Sequence, residues 1–266
     1  MEVVERTGEV AGIPVRWFQA GEAPVLYLHG VPNTGELWRP FLERTGGIAP
    51  DLPGFGRSGK GGNLDYSIEG YDRFLEVFAE SIGLDRFALV VHNWGAVGLA
   101  LAQRFPERIE RLVVAAAVPF LPGYRWHRIA RIWRTRGLGE LFMGLSTRWG
   151  FKQLSRESTV THGPLPDDLI DEIWRHFDQG TQRAILRLYR SAPEDVLARA
   201  GEGLARIVCP ALVIWGRQDP YLPAELGERY AEALGGEVDL EILEAGHWPW
   251  LDRPELVGRI VGFVLG

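Results

Sequence analysis

Asn93, Asp219 and His247 could act together, because each stands just past a short apolar run. Phe87-Ala88-Leu89-Val90-Val91 leads into His92-Asn93-Trp94-Gly95. Ala211–Trp215 leads into Gly216-Arg217-Gln218-Asp219, and Val238–Leu243 into Glu244-Ala245-Gly246-His247. A fourth run, Val25–Leu28, ends in His29-Gly30-Val31-Pro32. These runs read as buried strands, and in a parallel sheet reactive groups collect at the carboxyl ends of strands. There His247 is the general base that activates water. Asp219 holds its ring and stabilises the imidazolium. The backbone N–H groups of Val31 and Trp94 face a developing negative charge. Residue 93 takes the nucleophile's place on a sharp strand-to-helix turn, but an amide is a poor nucleophile and does not ionise near neutral pH. A lone Gly-His or Asp-Pro is commonly structural; the reading rests on four strand ends in this order.

The remaining elements must hold those ends side by side. Val3–Glu9 and Ile13–Gln19, joined through Ala11-Gly12, read as an antiparallel hairpin. A helix is expected through Leu37–Arg44, then a short strand from Gly47 and the turn-rich stretch Asp51–Gly59. In that stretch Ser58 reads as a turn residue. Ser67 is placed to cap a helix in which Ile68, Tyr71, Phe74, Leu75, Phe78 and Ile82 recur at helical spacing. A helix over 94–105 and a strand Leu112–Val118 follow. From Phe120 to Gly203 no strand pattern appears, only helical patterns over Trp126–Thr135, Asp167–Phe177 and Gln182–Tyr189. The strand–helix alternation resumes at Ala211, with helices over Ala224–Leu234 and Pro254–Leu265. Alternation of this kind implies a mostly parallel sheet covered on both faces. We therefore expect one α/β core, residues 1–119 and 204–266, with a helical cap at 120–203 inserted after the sixth strand.

With 266 residues the chain can bury a sizeable core. A net charge of −6 argues against nucleic acid and anionic membrane as partners. Arg125, Arg128, Arg131, Arg134 and Arg136 are the exception and read as a solvated helix face. The single cysteine, Cys209, excludes an internal disulfide and a cysteine-based zinc site, and reads as a buried structural thiol. No signal peptide or bilayer-length apolar run is visible, which points to a cytoplasmic protein. No phosphate loop, metal-ligand spacing or dinucleotide fingerprint appears, so no cofactor is expected and water is the co-substrate. Ten tryptophans, several between Trp126 and Trp174, suggest a region that lines an apolar cavity for a small apolar substrate. Oligomeric state is not readable.

The order nucleophile, acid, histidine resembles the α/β-hydrolase superfamily over nearly the whole chain. His92-Asn93-Trp94-Gly95, His29-Gly30-Val31-Pro32, Asp51-Leu52-Pro53-Gly54-Phe55-Gly56-Arg57-Ser58 and Gly246-His247-Trp248-Pro249 are similar to landmarks of its epoxide hydrolase and haloalkane dehalogenase group. That resemblance implies an aspartate at position 93, which attacks an sp3 carbon to form an ester that His-activated water then hydrolyses. Asn93 departs from it. Three readings are open: a deliberate Asp-to-Asn change that traps substrate, a natural variant whose chemistry is lost or altered, or an asparagine that deamidates in place under His247. Retention of Asp219 and His247 favours the first, an inactivated or trapping form. A non-catalytic binding protein is the alternative from another class, and a serine-type esterase would need a hydroxyl that position 93 lacks.

The resemblance also frames the leaving group. Epoxide opening needs cap tyrosines as acid donors, and Ile185–Arg190 is similar to the segment that supplies one, making Tyr189 the candidate, with Tyr124 a possible second. Halide release needs N–H donors. Trp94 fits, but Val31 stands where many dehalogenases carry asparagine, so Trp126, Trp133 or Trp174 would have to supply the second. On this balance epoxide hydrolysis is favoured, with a haloalkane or haloacid dehalogenase as the alternative. His29, Tyr124, Trp126 and Trp248 complete the expected substrate-binding set.

Overall fold

A computed structural model describes residues 1–266. Strands β1 (Val4–Val10) and β2 (Ile13–Ala20) form the expected hairpin, its turn made by Ala11 and Gly12 at φ 51° and 76°. Positive φ at both central residues matches the right-handed twist of the paired strands. Then come β3 (Val25–Leu28), α1 (Arg39–Thr45), β4 (Gly47–Pro50), α2 (Ile68–Ser81), β5 (Phe87–Asn93), α3 (Gly98–Arg104) and β6 (Ile109–Ala117). After a wholly helical stretch the chain returns to β7 (Ala211–Gly216) and β8 (Val238–Leu243).

The eight strands form one sheet in the order β1-β2-β4-β3-β5-β6-β7-β8. The pairs β1–β2 and β2–β4 are antiparallel, and the pairs from β4 to β8 are parallel. The chain moves from β3 outward to β4, then returns to place β5 on the other side of β3. Such a reversal opens a crevice beyond the strand ends, where ligands bind in open α/β sheets.

Strands β3, β5 and β7 are buried along their whole length. Alternate residues point to opposite faces. Leu26 and Leu28 join a cluster with Phe74, Leu75 and Phe78 of α2, while Val25 and Tyr27 join one with Phe41 of α1. Helix α2 forms where its cap directs it: Ser67 Oγ accepts the Gly70 N–H at 3.0 Å.

Between β6 and β7 lie α4 (Arg128–Arg134), α5 (Leu138–Leu145), α6 (Arg148–Leu154), α7 (Asp167–Arg175), α8 (Gln179–Ser191) and α9 (Glu194–Ala200). Helices α10 (Glu225–Ala233), α11 (Pro249–Asp252) and α12 (Glu255–Leu265) complete the chain. Sequence periodicity missed α5, α6 and α9, which are only seven or eight residues long. Trp126 precedes α4, because His127 Nδ1 caps that helix. The expected helix over 94–105 starts instead as a tight 3-10 turn, Trp94–Val97. A Cβ on Gly201 would lie 1.7 Å from the Phe120 carbonyl, so the two ends of the helical stretch meet.

Two readings of burial need correction. Arg134 is not solvated with its neighbours: its guanidinium donates to the carbonyls of Tyr189 at 2.5 Å and Ala192 at 2.7 Å, tying α4 to α8. Cys209 is half-buried, its thiol pushed up to about 11 by desolvation.

Candidate active site

Residue 93 is held up by close backbone contact. Asn93 has φ 52° and ψ −120°, a conformation L-residues rarely adopt. Its cost, about 1–3 kcal/mol, is tolerated only where the surroundings over-determine it. Here they do: a Cβ on Gly95 would come 2.2 Å from the Leu28 carbonyl, and one on Gly30 would come 2.3 Å from Asn93 Cβ. The β3 loop and the β5 turn therefore touch directly, and the Val31 N–H donates to Asn93 Oδ1 at 3.1 Å.

The other two side chains converge on the same point. Asp219 Oδ1 accepts the N–H groups of Tyr221 at 2.8 Å and Leu222 at 3.0 Å, closing the turn after β7. Its Oδ2 lies 2.7 Å from His247 Nδ1. Asp219 is thus both a turn anchor and the partner of the histidine. With Nδ1 protonated toward the carboxylate, His247 Nε2 accepts from Asn93 Nδ2 at 3.0 Å. The His247 backbone N–H donates to the Ser158 carbonyl at 2.9 Å, and its carbonyl accepts from His92 Nε2 at 2.9 Å. Tyr221 and Trp248 pack on the imidazole with ring centroids 5.1 and 4.9 Å away.

A cavity of about 80 Å³ opens in front of this group. Val31, Asn93, His247 and Tyr221 line it together with His127, Trp133 and Tyr189. Burial holds the Tyr189 hydroxyl well above the ordinary tyrosine value, so it stays protonated and can donate. Burial, then His247, Arg131 and Arg128, push His127 down to about 3, leaving it neutral. Its Nδ1 faces the Ala130 N–H at 3.4 Å, which puts its proton on Nε2.

Among the tryptophans weighed as second halide donor, Trp126 is already engaged, with Nε1 donating to the Ala192 carbonyl at 2.9 Å. Trp174 stacks on Phe177 with centroids 5.5 Å apart and does not line the cavity. Trp133 does line it, and its indole N–H is buried without a partner, whereas Trp94 does not line it and its indole N–H faces the Tyr189 hydroxyl. Their rings flank Tyr189 at 4.9 and 5.2 Å.

Four expected substrate contacts fall elsewhere. His29 is fully buried, with Nδ1 on the Gly30 carbonyl at 2.8 Å and Nε2 accepting the Leu52 N–H at 3.0 Å, so it braces the backbone. Tyr124 and Trp126 line a separate cavity with Arg125 and Glu194. Trp248 supports His247 from outside the cavity. Conversely, the sequence reading passed over His127 and Tyr221. Tyr221 had a usable signal, standing two residues after Asp219; His127 had none. No three His, Cys, Asp or Glu side chains are placed to hold a metal ion, and no helix is long and apolar enough to cross a membrane.

The family model for the alpha/beta hydrolase fold matches residues 23–254. A haloalkane dehalogenase of Mycolicibacterium paratuberculosis is 29% identical, with 90% of this chain and 83% of that protein aligned. Haloalkane dehalogenase 1 of Mycobacterium tuberculosis is 31% identical, over 75% of this chain and 69% of that protein. Among solved structures, haloalkane dehalogenase DbeA from Bradyrhizobium elkani superimposes with a TM-score of 0.84 at 25% identity, covering 100% of this chain and 98% of that one.

Proposed function

Because the chain belongs to the α/β-hydrolase family, in its haloalkane dehalogenase group, we propose that it is built to hydrolyse a carbon–halogen bond through an ester on residue 93. The observation that carries this reading is the unpartnered indole N–H of Trp133 on the cavity that Asn93 and His247 also line. A buried donor left unpaired costs about 1–3 kcal/mol, and a departing halide is an acceptor for it. This reverses the sequence-based preference for epoxide opening.

The roles follow from position. A carboxylate at 93 attacks an sp3 carbon, and the halide leaves toward Trp133. His247 then takes a proton from water, which attacks the ester carbonyl. The Val31 N–H stabilises the oxyanion, and Asp219 stabilises the imidazolium. Residues 120–203 serve as the cap that excludes bulk water. A cavity of about 80 Å³ limits the substrate to a small apolar molecule unless the cap opens. With an amide at 93 the first step is blocked, so the chain as written is impaired.

A second reading has its own support. The Tyr189 hydroxyl and neutral His127 are donors on the cavity wall, as an epoxide oxygen would need. Asn93→Asp separates the two when assayed against short haloalkanes and epoxides. Halide release is expected, with alkyl-enzyme accumulating when His247→Gln is added. Epoxide turnover without halide release would make the second reading correct. A folded Asn93→Asp variant with no adduct and no turnover on either panel would refute both.

A further inference from the structure

The bonds around Asn93 are those of an acyl group about to be hydrolysed. Its carbonyl oxygen sits on the Val31 N–H at 3.1 Å, and its nitrogen lies 3.0 Å from His247 Nε2, the atom that can take a proton from water and return one to a leaving amine. Asp219 stands behind the imidazole at 2.7 Å. The cavity in front of the pair has room for water. We propose that Asn93 is a modification site: the protein hydrolyses this side chain to aspartate in place, a single self-processing step that creates its own nucleophile.

The chemistry balances without any further reagent. His247 takes a proton from water, and the hydroxide oxygen bonds to Cγ while the oxyanion forms on Oδ1 against the Val31 N–H. The protonated imidazole gives its proton to Nδ2, the C–N bond breaks, and ammonia leaves. Water and the carboxamide become a carboxylate and ammonium. These residues would perform the same work on an alkyl ester in the second half of the proposed cycle, so the step calls on no additional machinery. It is slow for two reasons: an amide is less electrophilic than an ester, and the His247 bond to Nδ2 must give way to one with water. The proposal draws on the hydrolase reading only for the use to which the new carboxylate is put.

The test is time-resolved peptide mass analysis of the purified full chain, held folded at neutral pH in water enriched in the heavy oxygen isotope. Residue 93 should gain the mass difference between NH and O with first-order kinetics. One heavy oxygen should enter the side chain, and one ammonium should be released per chain. Conversion should slow about a hundredfold or more in His247→Gln and about tenfold or more in Asp219→Asn. Thermal melting of both variants, with chemically unfolded wild-type chain as a further control, separates catalysis from loss of fold. An amide that persists in the folded wild type, an unchanged rate in His247→Gln, or isoaspartate as the product would each overturn the proposal. The two proposals fail separately. Conversion without turnover of halide or epoxide refutes the hydrolase reading alone; an active Asn93→Asp beside a wild type that keeps its amide refutes self-processing alone.

Discussion

Two donors of different chemistry line one cavity, and the leaving group decides which of them matters. Trp133 offers an unpaired indole N–H, and Tyr189, between the rings of Trp94 and Trp133, offers a hydroxyl kept protonated by burial. A halide accepts N–H bonds and needs no proton, whereas an epoxide oxygen must be protonated as its bond opens. In an Asn93→Asp background, Trp133→Phe should lower kcat for haloalkanes about tenfold to a hundredfold, on the scale of losing one preorganised donor. Tyr189→Phe should change it little. Steady-state kinetics with both variants checks this, and the reverse pattern would assign the leaving group to the tyrosine. Asn93, Asp219 and His247 were legible in the chain because each follows a strand-forming run, and a strand end fixes where a residue lies. Direction was not legible. His29, Tyr124, Trp126 and Trp248 are near the right elements, but their side chains turn to the backbone, to another cavity or to the rear of the imidazole.

At the scale of elements, the site depends on how closely α3 and its leading turn cross β3. Gly95 lies against the Leu28 carbonyl with no room for a methyl group, and the obstacle is backbone that cannot rotate away. Gly95→Ala should therefore cost about 3 kcal/mol or more, lowering Tm by roughly 6–12 °C. Glycines on the exposed face of α12 behave oppositely. A Cβ on Gly258 meets nothing within 4 Å, and helix interiors disfavour glycine. Gly258→Ala should raise stability by about 0.5–1 kcal/mol. Thermal unfolding of the two variants side by side checks both signs, and a neutral Gly95→Ala would show that the turn relaxes away from β3. Sequence spacing placed the helix after Asn93 but could not show that it begins as a 3-10 turn, because that tightening comes from contact with β3. The helices between β6 and β7 were hardest to read for a related reason: α5, α6 and α9 are too short to display a period, and their partners are distant in sequence.

Across the whole molecule, three histidines are held neutral. His29 and His92 are fully buried, and burial is the main cause lowering each; His92 is lowered further by His247. His127, down to about 3, is the third. In the unfolded chain all three titrate near the ordinary value of about 6.5. Below that pH the unfolded state binds protons that the folded state refuses, so stability is complete above it and falls as pH drops through it. For His127 the slope approaches about 1.4 kcal/mol per pH unit. Carboxylates act in a lower window. Burial alone would raise Glu172, but His176, Arg16 and Arg175 outweigh it and bring it to about 2. Its contribution is therefore lost only as the pH falls below the ordinary carboxyl range near 4.3. Between pH 6.5 and 5 the histidines dominate. Denaturant midpoints measured across that interval should fall steadily, and His127→Asn, which keeps a side-chain cap for α4, should make the fall shallower. An unchanged slope in His127→Asn would mean that His127 is free to take up a proton in the folded protein.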